Sequence, residues 1–266
     1  MDVWRGKWAL ITGASAGIGR ALAEELAAGG ANLVLTARRR ERLEELAGKL
    51  GAANGVNVEI VTADLAQATG PEEVFIFTEQ KGIAVDLLVN NAGFGLYGEF
   101  QGTKLASQLG MVQVNCAAVV HLTRLFLPQM VERHRGHILI VASTAAFQAV
   151  PYIATYAATK AFDLFFAEGL GEEVARYGVR VCALCPGPTA TEFSEVAGTP
   201  KSKAGEKLGV QEARQVARAG LEGLAAGKTC VISGFKNQLG AQAHRFLPRR
   251  TITGAAERIY RPEHLE

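Results

Sequence analysis

Tyr156 and Lys160 lie four residues apart in a stretch of helical periodicity, which sets a phenol and an ammonium on one face. A free tyrosine titrates near pH 10, too high for easy proton transfer at neutral pH. A lysine cation beside it favours the phenolate, and a fall from about 10 to about 7 requires about 4 kcal/mol of differential stabilisation. Ser143 closes the preceding apolar run. At the carboxyl end of a strand its hydroxyl can hydrogen-bond an oxygen that gains charge. Tyr-x-x-x-Lys alone is a common coincidence of helices. With a strand-end serine and the glycine turn that follows here, it reads as an acid–base site.

That turn is Thr12-Gly13-Ala14-Ser15-Ala16-Gly17-Ile18-Gly19, set between an expected strand and an expected helix. Glycines serve where the backbone turns tightly and approaches a pyrophosphate with no Cβ in the way. The free N–H groups of the helix start then face the anion. The same spacing would also suit a plain strand-to-helix turn; its place in the first βα unit favours a dinucleotide. In such folds an acid at the end of the second strand binds the adenosine 2′-hydroxyl. Here the segment is Thr36-Ala37-Arg38-Arg39-Arg40, with no carboxylate and with Arg38 nineteen residues after Gly19. A guanidinium fork suits a 2′-phosphate, so NADP(H) is expected over NAD(H). A merely solvated basic helix start is the weaker reading, because cations there oppose the helix dipole.

The elements that must position these residues alternate along the chain. Strands are expected over 8–12, 32–36, 56–62, 86–90, 137–142, 179–184 and 229–233. Helices are expected over 18–28, 40–50, 72–81, 105–133, 155–176 and 210–225. Strands rich in Val, Ile and Leu without alternation are buried on both faces, as in a parallel sheet covered by helices. Repeated βα units make this an α/β, Rossmann-type doubly wound sheet. No linker or repeat divides the chain, so one domain over 1–266 is expected, with a core of about 7–233 and a helical extension over 234–266.

At this point the sequence resembles the short-chain dehydrogenase/reductase family, over residues 7–193. The resemblance rests on Gly13, Gly17 and Gly19, on Asp64-Leu65, and on Asn90-Asn91-Ala92-Gly93. It continues through Asn115, Ser143, Tyr156 with Lys160, and Pro186-Gly187 with Thr191. It implies a seven-stranded parallel sheet and hydride transfer between a nicotinamide and a substrate carbon. By the resemblance, Asp64 contacts the adenine and Asn91-Ala92-Gly93 flank the adenosine ribose. Asn115 helps to hold the water and lysine of a proton relay, and Pro186, Gly187, Thr189 and Thr191 position the nicotinamide end. Ser143 would orient a ketone, Tyr156 protonate the alkoxide, and Lys160 lower the tyrosine pKa and bind the nicotinamide ribose. A homodimer or homotetramer is also implied.

Three functions stay open: reduction of a ketone or aldehyde, such as a 3-oxoacyl or lipid-derived one; alcohol oxidation by the same chemistry; and non-catalytic NADPH binding or sensing. The last expects a damaged tetrad, and Asn115, Ser143, Tyr156 and Lys160 are all present. Expected pocket residues are Phe94, Leu96 and Tyr97, the segment 147–152, and Phe193 with the loop to Lys207. They are mainly apolar, although such residues also pack lids and subunit contacts. The segment 196–207 could be a lid or a surface loop.

With 28 basic and 26 acidic side chains the net charge is +2, so no nucleic-acid or anionic-membrane partner is indicated in bulk. There is no secretory leader pattern and no run of eighteen apolar residues, and the expected location is cytoplasmic. Cys182 and Cys185 form C-x-x-C on a strand, where residues three apart face opposite ways; they read as buried thiols, and no metal site is expected. From Phe235 onward the apolar residues follow a helical period, and Lys236, Arg245, Arg249, Arg250, Arg258 and Arg261 face a single acid, Glu257. An interfacial helix would look like this, and so would a helix packed on the body or on a second subunit; Pro248 favours packing. Leu265-Glu266 could be a cloning remnant.

Overall fold

The computed structural model describes residues 2–198, 209–242 and 246–262. Seven parallel strands form one sheet in the order β3-β2-β1-β4-β5-β6-β9. They are β1 Trp8–Thr12, β2 Asn32–Ala37, β3 Val58–Thr62, β4 Val85–Asn90, β5 Gly136–Val141, β6 Val179–Cys185 and β9 Cys230–Ile232. Helices α1 Gly17–Ala28, α2 Arg40–Asn54 and α8 Ala213–Ala225 cover one face. On the other lie α3 Gly70–Gln80, α5 Ala118–Glu132 and α6 Ala154–Val174.

Alternation along the strands feeds two cores. Ala9, Ile11, Leu33, Leu35, Leu87, Val89, Leu139 and Cys182 enter one; Leu10, Val34, Leu88, Ile138, Ile140 and Cys185 enter the other. The two cysteines of the C-x-x-C therefore sit on opposite faces of the sheet, both fully buried. Burial pushes the Cys182 thiol up to about 12, so it stays protonated and inert. Because every central strand is apolar on both faces, the sheet cannot stand without helices on both sides.

Two segments differ from the periodic pattern. The expected helix 105–133 is α4 Leu105–Val112, a π-turn Gln113–Ala117, and then α5. By length and composition 105–132 is apolar enough to cross a membrane, yet Ala118, Val119, Leu122, Phe126 and Met130 pack it onto the sheet. The start of the expected helix 210–225 is instead β8 Gln211–Glu212, paired in parallel with β7 Thr189–Ala190. Two-residue strands carry no readable alternation, and Gln211 and Glu212 are equally at home in a first helical turn.

Among the described residues the C-terminal extension holds two helices, α9 Phe235–Gln242 and α10 Arg249–Tyr260. Pro248 stands as the N-cap of α10. Of the segment 196–207, Val196 and Ala197 end a short helix, α7 Phe193–Ala197; 199–207 and Leu265-Glu266 lie outside the described residues.

Candidate active site

A cavity of about 1130 Å³ opens at the carboxyl ends of β1, β4, β5 and β6, where the strand order reverses between β1 and β4. One end is built on the glycine turn. Gly13 and Gly17 have φ of +66° and +55°, a region that side-chain-bearing residues rarely enter. A Cβ on Gly13 would come within 2.9 Å of Asn91 Nδ2 and the Ala92 Cα, and one on Gly17 within 3.0 Å of the Thr191 side chain. Thr12 Oγ1 accepts the amides of Asn91 and Ala92, each at 2.9 Å, and Asn91 Nδ2 donates to Thr12 O at 2.8 Å. These bonds lock the first turn to the loop after β4. Ala16 caps α1 without a side-chain bond, so the first amides of α1 are left for an anion. A backbone cradle this close, lined by Ser15, Gly17 and Ile18, fits a pyrophosphate.

Beyond the cradle, Arg38 and Arg39 both line the cavity. Arg39 does more than the pattern indicates. Its Nε and Nη2 donate to Ser15 Oγ at 3.3 and 3.0 Å, and its Nη1 pairs with Glu192 at 2.9 Å. Arg42 pairs with the same carboxylate at 2.6 Å, and together the two guanidinium groups hold Glu192 below the usual carboxylate range. Asp64, Leu65, Ala92, Gly93, Pro186, Gly187, Thr189 and Thr191 line the same cavity. Asp64 Oδ1 accepts the Ala66 amide at 3.0 Å. Thr189 Oγ1 donates to Gly187 O at 2.9 Å. Asn237 of α9 lies so close that a Cβ on Gly187 would meet it at 2.3 Å, a contact no spacing rule suggests.

At the other end stand Ser143, Tyr156 and Lys160, brought together by β5 and α6. Ser143 caps the turn after β5, its Oγ accepting the Ala145 amide at 3.1 Å. Lys160 Nζ lies 6.0 Å from the centre of the Tyr156 ring and donates to Val141 O at 2.7 Å. It also donates to Asp163 Oδ2 at 2.9 Å, an ion pair with 6% and 1% of the two side chains exposed. Asp163 Oδ1 is buried with no hydrogen-bond partner among the described residues. An Asp three residues after a Lys on a helix normally reads as a surface ion pair, which is why the sequence gives no hint of it.

Electrostatics depart from the expectation that Lys160 simply lowers the tyrosine pKa. Burial raises it, Lys160 and a Ser143 hydrogen bond pull it down, and Asp163 and Cys185 push it up; the phenol ends above its ordinary value. Burial works to lower the Lys160 pKa, but Asp163 and then Tyr156 carry it upward, so the lysine is a firm cation. Burial also lifts Asp163, against the pull of Lys160.

Asn115 sits in the π-turn, fully buried. Its Oδ1 accepts the Phe94 amide at 3.1 Å, and its Nδ2 donates to Phe94 O and Thr159 Oγ1, both at 3.0 Å. It thus ties the loop after β4 to α6 beside Lys160; its own side-chain bonds go to that loop and to Thr159. The extra residue of a π-turn re-aims this side chain, a common device at functional sites. The remaining wall is apolar. Phe193 lies 5.2 Å from Tyr156, centroid to centroid, and Leu96, Phe147, Val150, Ile153 and Val196 line the same cavity.

Comparison with known proteins agrees with this geometry. The family model for the short chain dehydrogenases matches residues 7–201. The very-long-chain 3-oxoacyl-CoA reductase of Anas platyrhynchos is 34% identical over 197 residues, covering 72% of this chain and 62% of that protein. The chain thus spans about three-fifths of the length of the curated relatives it first matches. Among solved structures, the Sphingobium yanoikuyae short-chain dehydrogenase in complex with NADPH superposes with a TM-score of 0.80 at 33% identity, covering 86% of this chain and 88% of that one. A 7beta-hydroxysteroid dehydrogenase superposes with a TM-score of 0.85 at 28% identity, over 96% and 98% of the two chains. With the family model spanning most of the chain, and the glycine turn and the Ser143–Tyr156–Lys160 cluster meeting in one cavity, this chain belongs to the short-chain dehydrogenase family.

Proposed function

We propose that this chain is an NADPH-dependent oxidoreductase that reduces the carbonyl of an apolar substrate to an alcohol. The observation that carries the reading is a single cavity with a phosphate cradle and two arginines at one end and Ser143, Tyr156 and Lys160 against an apolar wall at the other. When bound, a reduced nicotinamide supplies the hydride that the substrate carbon accepts. The Ser143 hydroxyl holds the carbonyl oxygen, and Tyr156 gives its phenolic proton to that oxygen as the C–O double bond becomes single. Lys160, kept cationic by Asp163, then faces the phenolate left behind and steadies its charge. Asn115 keeps the floor of the site in register through Phe94 and Thr159. Preference for the 2′-phosphate form rests on Arg38, Arg39 and Ser15, which offer guanidinium and hydroxyl donors where a 2′-hydroxyl would want an acceptor.

The lipid-derived ketone or 3-oxoacyl substrate is favoured by the apolar wall and by what the relatives are named for. The same proposal takes residues 1–266 as one catalytic domain acting in the cytoplasm. It includes a homodimer or homotetramer, supported by exposed Leu105, Leu109 and Phe165 on α4 and α6. The test is a panel of ketones, aldehydes and 3-oxoacyl thioesters, followed by loss of NADPH absorbance. Turnover with apolar ketones is expected; bound NADPH that no carbonyl oxidises would reject the reading.

A further inference from the structure

Helix α10 crosses the substrate end of the cavity. Its residues Ile252, Ala255, Ala256, Ile259 and Tyr260 recur at helical spacing on one face and line the cavity. Ala256, 4% exposed, packs with Val150, Ile153 and Ala157, beside Tyr156. The arginines Arg249, Arg250 and Arg258 stay exposed on the remainder of the helix. An interfacial helix would turn its apolar face outward; this one turns it toward the catalytic tyrosine.

Two tyrosines clasp α10 in place. Tyr97 OH donates to Tyr260 O at 2.9 Å, and Tyr152 OH donates to Glu257 Oε1 at 3.0 Å. Glu257 is held in turn by Arg261 at 2.8 and 2.9 Å. Tyr152 has φ of +65°, a left-handed conformation that a bulky residue keeps only when its surroundings impose it. Its carbonyl accepts the Gly98 amide at 2.9 Å, while the Tyr97 amide donates to Ala197 O at 3.0 Å. One hydrogen-bonded frame thus joins the loop after β4, the turn before α6, α7 and α10. It borders an apolar groove of the same cavity, lined by Ile259, Ala255, Ile252 and Leu247, with Ala255 and Leu247 exposed at its open edge.

We propose that α10 forms a tail subsite: an elongated apolar group attached to the reacting carbonyl lies along Ile252, Ala255 and Ile259, and the Tyr97 and Tyr152 clasps fix its width. The proposal rests on the carbonyl-reductase reading and narrows it to carbonyl compounds that carry a long chain or fused-ring apolar extension.

The experiment measures kcat/KM with NADPH for methyl ketones of increasing chain length. Each methylene buried against α10 should raise wild-type kcat/KM by about fourfold until the groove is filled. Ala255→Trp fills the groove, so the ratio of long-chain to short-chain kcat/KM should fall by about tenfold or more. Tyr152→Phe and Glu257→Gln should each raise KM for the long ketone more than they lower its kcat. NADPH affinity, read by quenching of protein fluorescence, should stay within about twofold in every variant, which separates a blocked groove from an unfolded chain. Should Ala255→Trp fail to bind NADPH, Ile259→Ala, which widens the groove, is read instead: it should admit branched ketones that wild type rejects. A wild-type chain-length profile in a variant that binds NADPH overturns the subsite alone. A wild-type protein that reduces none of the series overturns the carbonyl-reductase reading and the subsite together.

Discussion

Asp163→Asn should destabilise the protein far more than an ordinary helix substitution. Lys160 Nζ lies 2.9 Å from Asp163 Oδ2 in a site where both side chains are almost wholly buried. At an effective dielectric of about 20, unit charges at that separation attract by about 6 kcal/mol. Desolvation offsets part of this, and removing one partner of a buried pair costs about 3–5 kcal/mol. Each kcal/mol moves the melting temperature of a chain of this size by about 2–4 °C, so the variant should melt about 6–20 °C lower. The assay is thermal unfolding followed by circular dichroism near neutral pH. Lys160→Met with Asp163→Leu should recover most of the loss, because an apolar pair of similar volume carries no buried charge. A melting point for Asp163→Asn within about 2 °C of wild type would refute the reasoning. The pH profile adds a readout that packing alone would not move. Asp163 helps to hold the Tyr156 pKa up, and reduction needs the protonated phenol. Activity falls as pH rises through that pKa, so with Lys160 still protonated the fall should come at lower pH in Asp163→Asn.

Two further predictions concern the cofactor end and the sheet. Arg39→Ala and Arg38→Asp should each weaken NADPH about ten- to hundredfold while leaving NADH nearly unchanged, by fluorescence titration; equal losses for both nucleotides would dismiss the 2′-phosphate role. His137, packed edge-on to Trp4 at 5.4 Å, is pushed down to about 4 by burial and by Arg180 and Lys7. Its folded pKa is depressed, so the unfolded chain takes up the proton first. Its stability contribution is full above about 6.5 and is lost on acidification toward about 4, roughly 3 kcal/mol in all. His137→Phe should flatten that part of the stability-against-pH curve measured in urea.

The sheet was legible because its strands are short Val/Ile/Leu runs between helical stretches. Strand β1 falls on the expected bounds, and β2, β4, β5 and β6 fall within one residue of them. The glycine turn and the Ser143, Tyr156 and Lys160 spacing were legible because backbone chemistry at a βα turn allows few residue types. The π-turn at Asn115 was hidden: one extra residue in a helical turn leaves the apolar pattern almost unchanged. The Asp163 pair was hidden because burial, not spacing, distinguishes it from a surface ion pair. Arg38 and Arg39 look alike in a run of three arginines, and only the fold shows which reaches Ser15. The roof contributed by α10 depends on contacts more than a hundred residues apart, such as Tyr152 to Glu257, which no local pattern encodes.

The central claim is that Tyr156 is the proton donor of a carbonyl reduction, and Tyr156→Phe tests it most directly. The substitution removes one hydroxyl and keeps the ring against Phe193 and α10. Measured with the best ketone of the panel, NADPH-dependent turnover should drop by at least about a thousandfold, at the strong end of general-acid effects, while NADPH still binds. Turnover near the wild-type rate in that variant would contradict the account.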